Sequence, residues 1–117
     1  MFDSTAYYDV SGNAISREEW LEIIQTPDGK RVAEDTVGEI WVSTVLLGMD
    51  YNFSGDGLPI IFETMVFGTD EEHHLSFAEE LWCERYATHE EALAGHQRVV
   101  ASLRNGTFTG YTSNDDQ

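Results

Sequence analysis

The segment formed by residues 39–49 is apolar on both sides of an extended chain, which restricts where it can lie in a fold. Successive side chains of a strand point to opposite faces, so Ile40 and Val42 would share one face and Trp41 and Val45 the other. A strand with two apolar faces is typical of the centre of a sheet. We therefore predict a central strand here, with Trp41 as a core residue.

Further strands are predicted before and after this segment. Their apolar or alternating patterns cover residues 7–10, 30–35, 60–67 and 81–87. Short connections between consecutive strands favour antiparallel pairing as a meander. The expected fold class is α+β, with a mostly antiparallel meander sheet of three to five strands and two helices packed on one face.

Two helix starts carry the same signature, a hydroxyl residue followed three positions later by glutamate. The pairs are Ser16 with Glu19 and Thr88 with Glu91. Each predicts a capping box, in which both residues satisfy free N–H groups of the first turn. The first helix is predicted over residues 17–25, before the turn at Pro27, and the second ends at Asn105 and Gly106.

The charge balance limits which partners the chain can bind. Its 117 residues include 22 Asp and Glu but only 6 Lys and Arg, giving a formal net charge of −16. The length predicts one domain, expected over residues 1–110, and residues 111–117 are expected to be a disordered acidic tail. The charge disfavours direct binding to nucleic acid or anionic membranes and favours a basic protein surface, while solubility alone is the alternative explanation.

Cellular context and chemistry are predicted mainly from missing signals. Cys83 is the single cysteine, the N-terminus lacks a secretion pattern, and no apolar run reaches the length of a membrane span, so we expect a cytoplasmic protein without membrane contact. No phosphate-binding loop or nucleophile elbow is recognisable, and no cofactor is predicted. A non-enzymatic role is therefore favoured over an enzyme.

Four blocks in the middle of the chain support a resemblance to a known group of proteins. They are WVSTV at 41–45, LGMD at 47–50, IFETMVF at 61–67 and ERYATHEEALAGH at 84–96. Over roughly residues 39–96, the chain resembles small uncharacterised proteins encoded by tailed bacteriophages. The resemblance implies a phage accessory protein made in the bacterial cytoplasm, and it implies no activity, cofactor or catalytic residue.

One loop partly matches a calcium-binding pattern. Its oxygen-bearing residues alternate as in the first half of an EF-hand loop: Asp50, Asn52, Ser54 and Asp56. The twelfth position is Ile61, where that loop needs a bidentate glutamate. Because the same residue types are common in hairpin loops, we predict no tight calcium site.

Three residues are candidates for a ligand or proton-transfer site. Glu63 is an isolated acid in an apolar strand, where burial would raise its pKa, but pairing with Arg85 on a neighbouring strand is the favoured interpretation. His96 lies on the apolar stripe of the second helix, where a hydrogen-bonded core histidine is favoured over a metal ligand.

The leading functional hypothesis is an interaction module that blocks a basic, nucleic-acid-binding surface of a host or phage protein, for instance one involved in host defence. The acidic residues assigned to that contact are Asp70, Glu71, Glu72, Glu79 and Glu80. One alternative is a small-molecule or nucleotide-binding protein, or a small enzyme, with a site between sheet and helices or at a dimer interface. Another is a minor virion or assembly component. A homodimer is favoured over a monomer because two-faced apolar strands need more cover than two helices provide.

Overall fold

A four-stranded antiparallel meander forms the centre of the molecule. The computed structural model describes residues 6–54, 56–68 and 79–108. The strands follow one another in space as they do in sequence: β3 (Arg31–Val37), β4 (Ile40–Leu46), β5 (Phe62–Gly68) and β6 (Glu79–Tyr86). Every neighbouring pair is antiparallel, which confirms the predicted α+β class and meander topology.

The N-terminal residues form a separate two-stranded hairpin of β1 (Tyr7–Tyr8) and β2 (Ala14–Ile15). The Asp9 carboxylate accepts hydrogen bonds from the backbone N–H groups of Ser11 and Asn13, which stabilises the turn. The sequence pattern predicts β1 but not β2, because two residues are too few to show an alternation.

Three helices complete the fold, and the two longer ones begin as predicted. Helix α1 (Arg17–Ile24) and helix α3 (His89–Asn105) each have a complete capping box. Helix α3 ends at Gly106, which adopts the left-handed conformation at φ 76° and lets its N–H bond to the helix carbonyls. The predicted turn after α1 forms a four-residue helix, α2 (Pro27–Lys30).

Helix α3 covers one face of the sheet. Val42 and Val66 pack against Val99 and Val100 of this helix, and Ala92 joins a second buried cluster. That cluster contains Leu46, Ile61, Phe62 and Tyr86, and Ile23 of α1 packs against it. Helices α1 and α3 thus contribute to the same core, as predicted.

Helix α3 lies close to the sheet where it passes β6. A Cβ atom added at Gly95 would collide with the Tyr86 ring, so a residue without a side chain is needed at this contact. The N-terminal hairpin and α1 attach elsewhere, to the chain that leaves β4. The Trp20 indole donates a hydrogen bond of 3.0 Å to the Leu47 carbonyl, and the Tyr8 N–H donates one of 2.9 Å to the Gly48 carbonyl.

Trp41 lies on the sheet face opposite α3, and this corrects the prediction that it belongs to the core. Its ring is half-buried, stacks on Phe67 with centroids 5.0 Å apart, and donates from Nε1 to the Glu34 carboxylate at 2.8 Å. The guanidinium of Arg31 lies 5.6 Å from the ring centre. The apolar pattern of β4 has two faces, but helix α3 covers only the one that carries Val42.

Candidate functional site

The acidic residues predicted for partner binding occupy the connection between β5 and β6 and the start of β6. Asp70, Glu71 and Glu72 lie outside the described residues. The backbone of Glu79 and Glu80 begins β6, where Glu79 is opposite Gly68. Because β6 is the last strand in the order of the four-stranded sheet, these two residues belong to an edge strand.

Glu63 and Arg85 form the cross-strand pair that the sequence favours. They are directly opposite each other on β5 and β6, and Arg85 Nε donates to Glu63 Oε2 at 3.0 Å. Glu63 is 7% exposed, and the Arg85 guanidinium also lies 4.7 Å from the centre of the Tyr51 ring. A carboxylate held this way acts as the partner of a cation, which fits an ion-paired structural group better than a proton donor.

His96 is the centre of a buried hydrogen-bonded network beneath α3. Its Nδ1 shares a hydrogen bond of 2.7 Å with the Thr44 hydroxyl, and its Nε2 shares one of 2.8 Å with the Asp35 carboxylate. The Thr44 hydroxyl is also bonded to the Thr64 hydroxyl. Asp35 lies at the half-exposed end of this chain of groups, so the network runs from the protein edge into the core.

The network continues to Tyr86, whose hydroxyl donates to Glu84 at 2.9 Å. Burial raises the pKa of Tyr86 from 10.0 to about 12, because the charged phenolate would lose its hydration. The raised pKa therefore keeps the proton on this hydroxyl further into the alkaline range than on an ordinary tyrosine. A hydrogen bond to Thr64 works in the opposite direction but is the weaker influence.

Asp35, His96 and Thr44 have the residue types of a nucleophilic triad, but their placement opposes catalysis. A nucleophile must be reachable by a substrate atom about 3 Å away. Thr44 and Thr64 are fully buried, and each hydroxyl is engaged in the network. The arrangement therefore satisfies polar groups in the core and specifies how α3 sits on the sheet.

The loop with the partial calcium pattern uses its oxygens on its own backbone. Asp50 Oδ1 accepts from the N–H groups of Asn52 and Ile60, and Asn52 Oδ1 accepts from Ser54. The amide of Asn52 donates to the carbonyls of Asp56 and Leu58. Within the described ranges, no group of three or more His, Cys, Asp or Glu side chains is arranged to hold a metal ion.

A cavity of about 400 Å³ lies where the N-terminal hairpin meets the end of the sheet and the start of α3, and we call it the end pocket. Its lining is mainly apolar and also includes residues with hydroxyl, imidazole and carboxylate groups. The lining comes from the hairpin at residues 8 and 10–12 and from residues 58–59, 61–62 and 87–90. His89 approaches the Phe62 ring edge-on, with ring centres 6.0 Å apart.

Two residues of the end pocket are unusually exposed for their type. Leu58 is 61% exposed and Val10 is 40% exposed, although both are large and apolar. Sequence reasoning missed this site because each lining segment is short and reads as a turn or a strand end. The one local signal was the apolar pair Leu58 and Pro59 within an otherwise polar loop.

No protein-family model, curated protein or solved structure matches this chain. Among the helices of the described residues, none is both long and apolar enough to cross a membrane. Function is therefore inferred from the chemistry of the chain itself.

Proposed function

We propose that this chain is a small acidic phage accessory protein that acts as a non-enzymatic interaction module in the bacterial cytoplasm. It binds a basic surface of a host or phage protein and blocks that surface against nucleic acid. The observation that carries the proposal is the charge excess of 22 acidic residues over 6 Lys and Arg. A protein with this charge attracts a cationic surface over distance and repels nucleic acid.

The internal ion pairs leave most of this negative charge without a cation of the same chain. Four of the six cationic residues are already paired: Arg31 with Glu34, Arg85 with Glu63, Arg98 with Glu84 and Arg104 with Asp35. Helix α1 adds exposed Glu18, Glu19 and Glu22 along one short segment. The surplus is therefore available to an external cationic partner.

Two observations support binding over catalysis. The only triad-like arrangement found in the described residues is sealed in the core, with Thr44 fully buried. Glu63, one of the candidates for a proton-transfer site, is ion-paired with Arg85, as the favoured interpretation of the sequence predicts. Self-association through the half-buried face that carries Trp41 and Phe67 stays a prediction, since an apolar sheet face is a common homodimer surface.

The proposal is tested by isolating the tagged chain from phage-infected bacteria and identifying partners by mass spectrometry. A purified partner should have a basic, nucleic-acid-binding surface, nucleic acid should compete with this chain, and association should slow as salt screens the charges. Recovery of non-basic partners alone, or association unaffected by salt, would contradict the proposal.

Two charge-matched variants then separate local contact from long-range attraction. One neutralises three of the five predicted contact residues through Asp70→Asn, Glu71→Gln and Glu72→Gln. The control removes the same charge from exposed positions on α1 and α2, through Glu18→Gln, Glu22→Gln and Asp28→Asn. The first variant should slow association more than the control. Equal slowing would show that the acidic connection steers the partner without contacting it.

A further inference from the structure

We propose that the end pocket receives one large apolar side chain of the partner, presented between cationic residues. This inference rests on the proposed function, and it adds a specific anchor to an interaction that charge alone would leave unspecific. Interfaces obtain most of their binding free energy from a few buried side chains of this kind, while charged residues around them set association rate and partner choice.

The size and chemistry of the end pocket fit such an anchor. Its volume of about 400 Å³ is near the lower end of the range for ligand pockets, roughly 300–1,000 Å³. Tyr8, Leu58, Pro59, Ile61 and Phe62 contribute apolar wall. An aromatic or branched aliphatic side chain would replace water there and bury apolar surface on both partners.

The pattern of exposure singles out this pocket within the described surface. On the described surface, three large hydrophobic residues are exposed: Val10, Leu58 and Phe53. Two of the three, Val10 and Leu58, line the end pocket, whereas Phe53 does not. Exposed apolar side chains that line one cavity indicate an interaction site more strongly than single scattered ones.

The charge around the pocket indicates which residues should flank the bound side chain in the partner. Among the described residues, no Lys or Arg lines the pocket, whereas Glu90 does, and Asp9 is adjacent in the hairpin turn. Glu90 and Glu91 already place negative charge at the positive end of the α3 dipole. A phosphate, nucleotide or acidic peptide is therefore disfavoured, and an apolar side chain between lysines or arginines is favoured.

The test uses blocked five-residue peptides titrated into the isotope-labelled full chain, with binding followed by NMR chemical shifts. The first peptide has a central phenylalanine between two pairs of lysines, and the second replaces the phenylalanine with alanine. The third keeps the phenylalanine but has glutamates in place of lysines. We expect the first to bind about tenfold or more tightly than the second, as burial of a phenylalanine side chain predicts. The chemical-shift changes caused by the first peptide should centre on residues of the end pocket, and the third peptide should bind most weakly.

Matched variants identify the pocket as the cause. Leu58→Ser and Val10→Ser should each reduce the preference for phenylalanine over alanine, and both positions are exposed enough for the fold to persist. Phe53→Ser is the control, because Phe53 is 86% exposed and lies outside the pocket lining. It should leave the preference unchanged, and circular dichroism should be the same for all three variants.

The outcomes separate this inference from the proposed function. If both lysine peptides bind with equal affinity and salt weakens the binding of both, the inference about the end pocket is overturned, while the proposed binding to a basic surface stands. If the glutamate peptide with phenylalanine binds as tightly as the lysine one, the pocket accepts apolar groups but the basic partner is overturned. If neither lysine peptide binds at millimolar concentration, both are overturned.

Discussion

The two faces of the four-stranded sheet have similar sequences but different surroundings. On β4, Val42 and Leu46 point towards α3 and are buried, whereas Trp41 and Val45 point the other way and are only half-buried. The covered face also holds the buried polar network of Thr44, and the opposite face holds the Glu63–Arg85 pair.

The difference shows that apolar content alone does not define a core. The face covered by α3 combines branched residues such as Val42 with the buried rings of Phe62 and Tyr86, and Gly95 on the helix allows the close approach. Its hydroxyl and imidazole groups satisfy one another. The opposite face has the large ring of Trp41, whose Nε1 donates to the Glu34 carboxylate and which stacks on Phe67. The indole ring tolerates partial contact with water because its N–H keeps a polar partner.

The sharpest comparison uses two adjacent residues of β4. Leu46→Ala removes a side chain that is 1% exposed and should lower the free energy of unfolding by about 2–5 kcal/mol. Val45→Ala, on the half-buried face, should cost about 1 kcal/mol. Urea denaturation followed by tryptophan fluorescence measures both. Equal losses would mean that the two faces are equally buried.

Alkaline pH tests how well the covered face excludes water. In the unfolded chain Tyr86 ionises near pH 10, but its raised pKa keeps it protonated to about pH 12 in the folded protein. Ionisation therefore favours unfolding between these two pH values. The contribution of Tyr86 to the free energy of unfolding is complete below pH 10 and is lost as pH rises through 12.

We expect Tyr86 to account for on the order of 2 kcal/mol of stability lost across that window. Unfolding free energies from pH 9 to pH 12 should fall less steeply for Tyr86→Phe than for the wild type. Tyr51→Phe is the control, because Tyr51 lies against Arg85 rather than under α3. Parallel curves for Tyr86→Phe and the wild type would contradict the raised pKa.

Trp41→Ala should be milder than a core truncation of the same size. Because the ring is half-buried, we expect a loss of about 1–2 kcal/mol, below the roughly 3–5 kcal/mol of a buried tryptophan. Thermal unfolding measures the difference. A loss of stability as large as that of Leu46→Ala would indicate that another surface, such as a second copy of the chain, covers this face. An unfolding temperature that depends on protein concentration would then identify self-association.

The smallest effect is expected at the Glu63–Arg85 pair. A double-mutant cycle with Glu63→Gln and Arg85→Gln should give a coupling of about 1 kcal/mol or less, since water reaches the Arg85 side chain, which is 45% exposed. Arg85→Gln should cost more than Glu63→Gln, because it leaves a buried carboxylate without its cation. If the two single variants lost the same stability and the coupling did not change with salt, the interaction between Glu63 and Arg85 would not be electrostatic.

The features predicted correctly from sequence are those determined by neighbours along the chain. The capping box of Ser16 and Glu19 can be recognised from four consecutive residues, and the end of α3 can be recognised from Gly106 alone. The strands of the meander follow from apolar patterns and short connections. Side-chain burial was less predictable, because the pattern at Trp41 cannot say which face a helix covers.

The candidate site was largely invisible in the sequence because its parts meet only after folding. Tyr8 and His89 are more than eighty positions apart, yet both line the end pocket. The partners of His96 are similarly distant, since Thr44 and Asp35 lie on two different strands. The helical stripe predicted a satisfied core histidine, but the strand register decides which hydroxyl reaches it.

The attachment of the N-terminal hairpin has a consequence for how the end pocket opens. The hydrogen bonds that join the hairpin and α1 to the sheet lie along residues 47–49, where the Trp20 ring leaves no room for a side chain on Gly48. Tyr8 and Ile23 add apolar contact with the core. Because these hydrogen bonds are few, we expect this unit to detach in a local unfolding event that spares the central strands. Detachment would remove the pocket wall made by Tyr8 and Val10. A side chain bound there would bridge the hairpin and α3, so binding should slow hydrogen exchange of the hairpin amides.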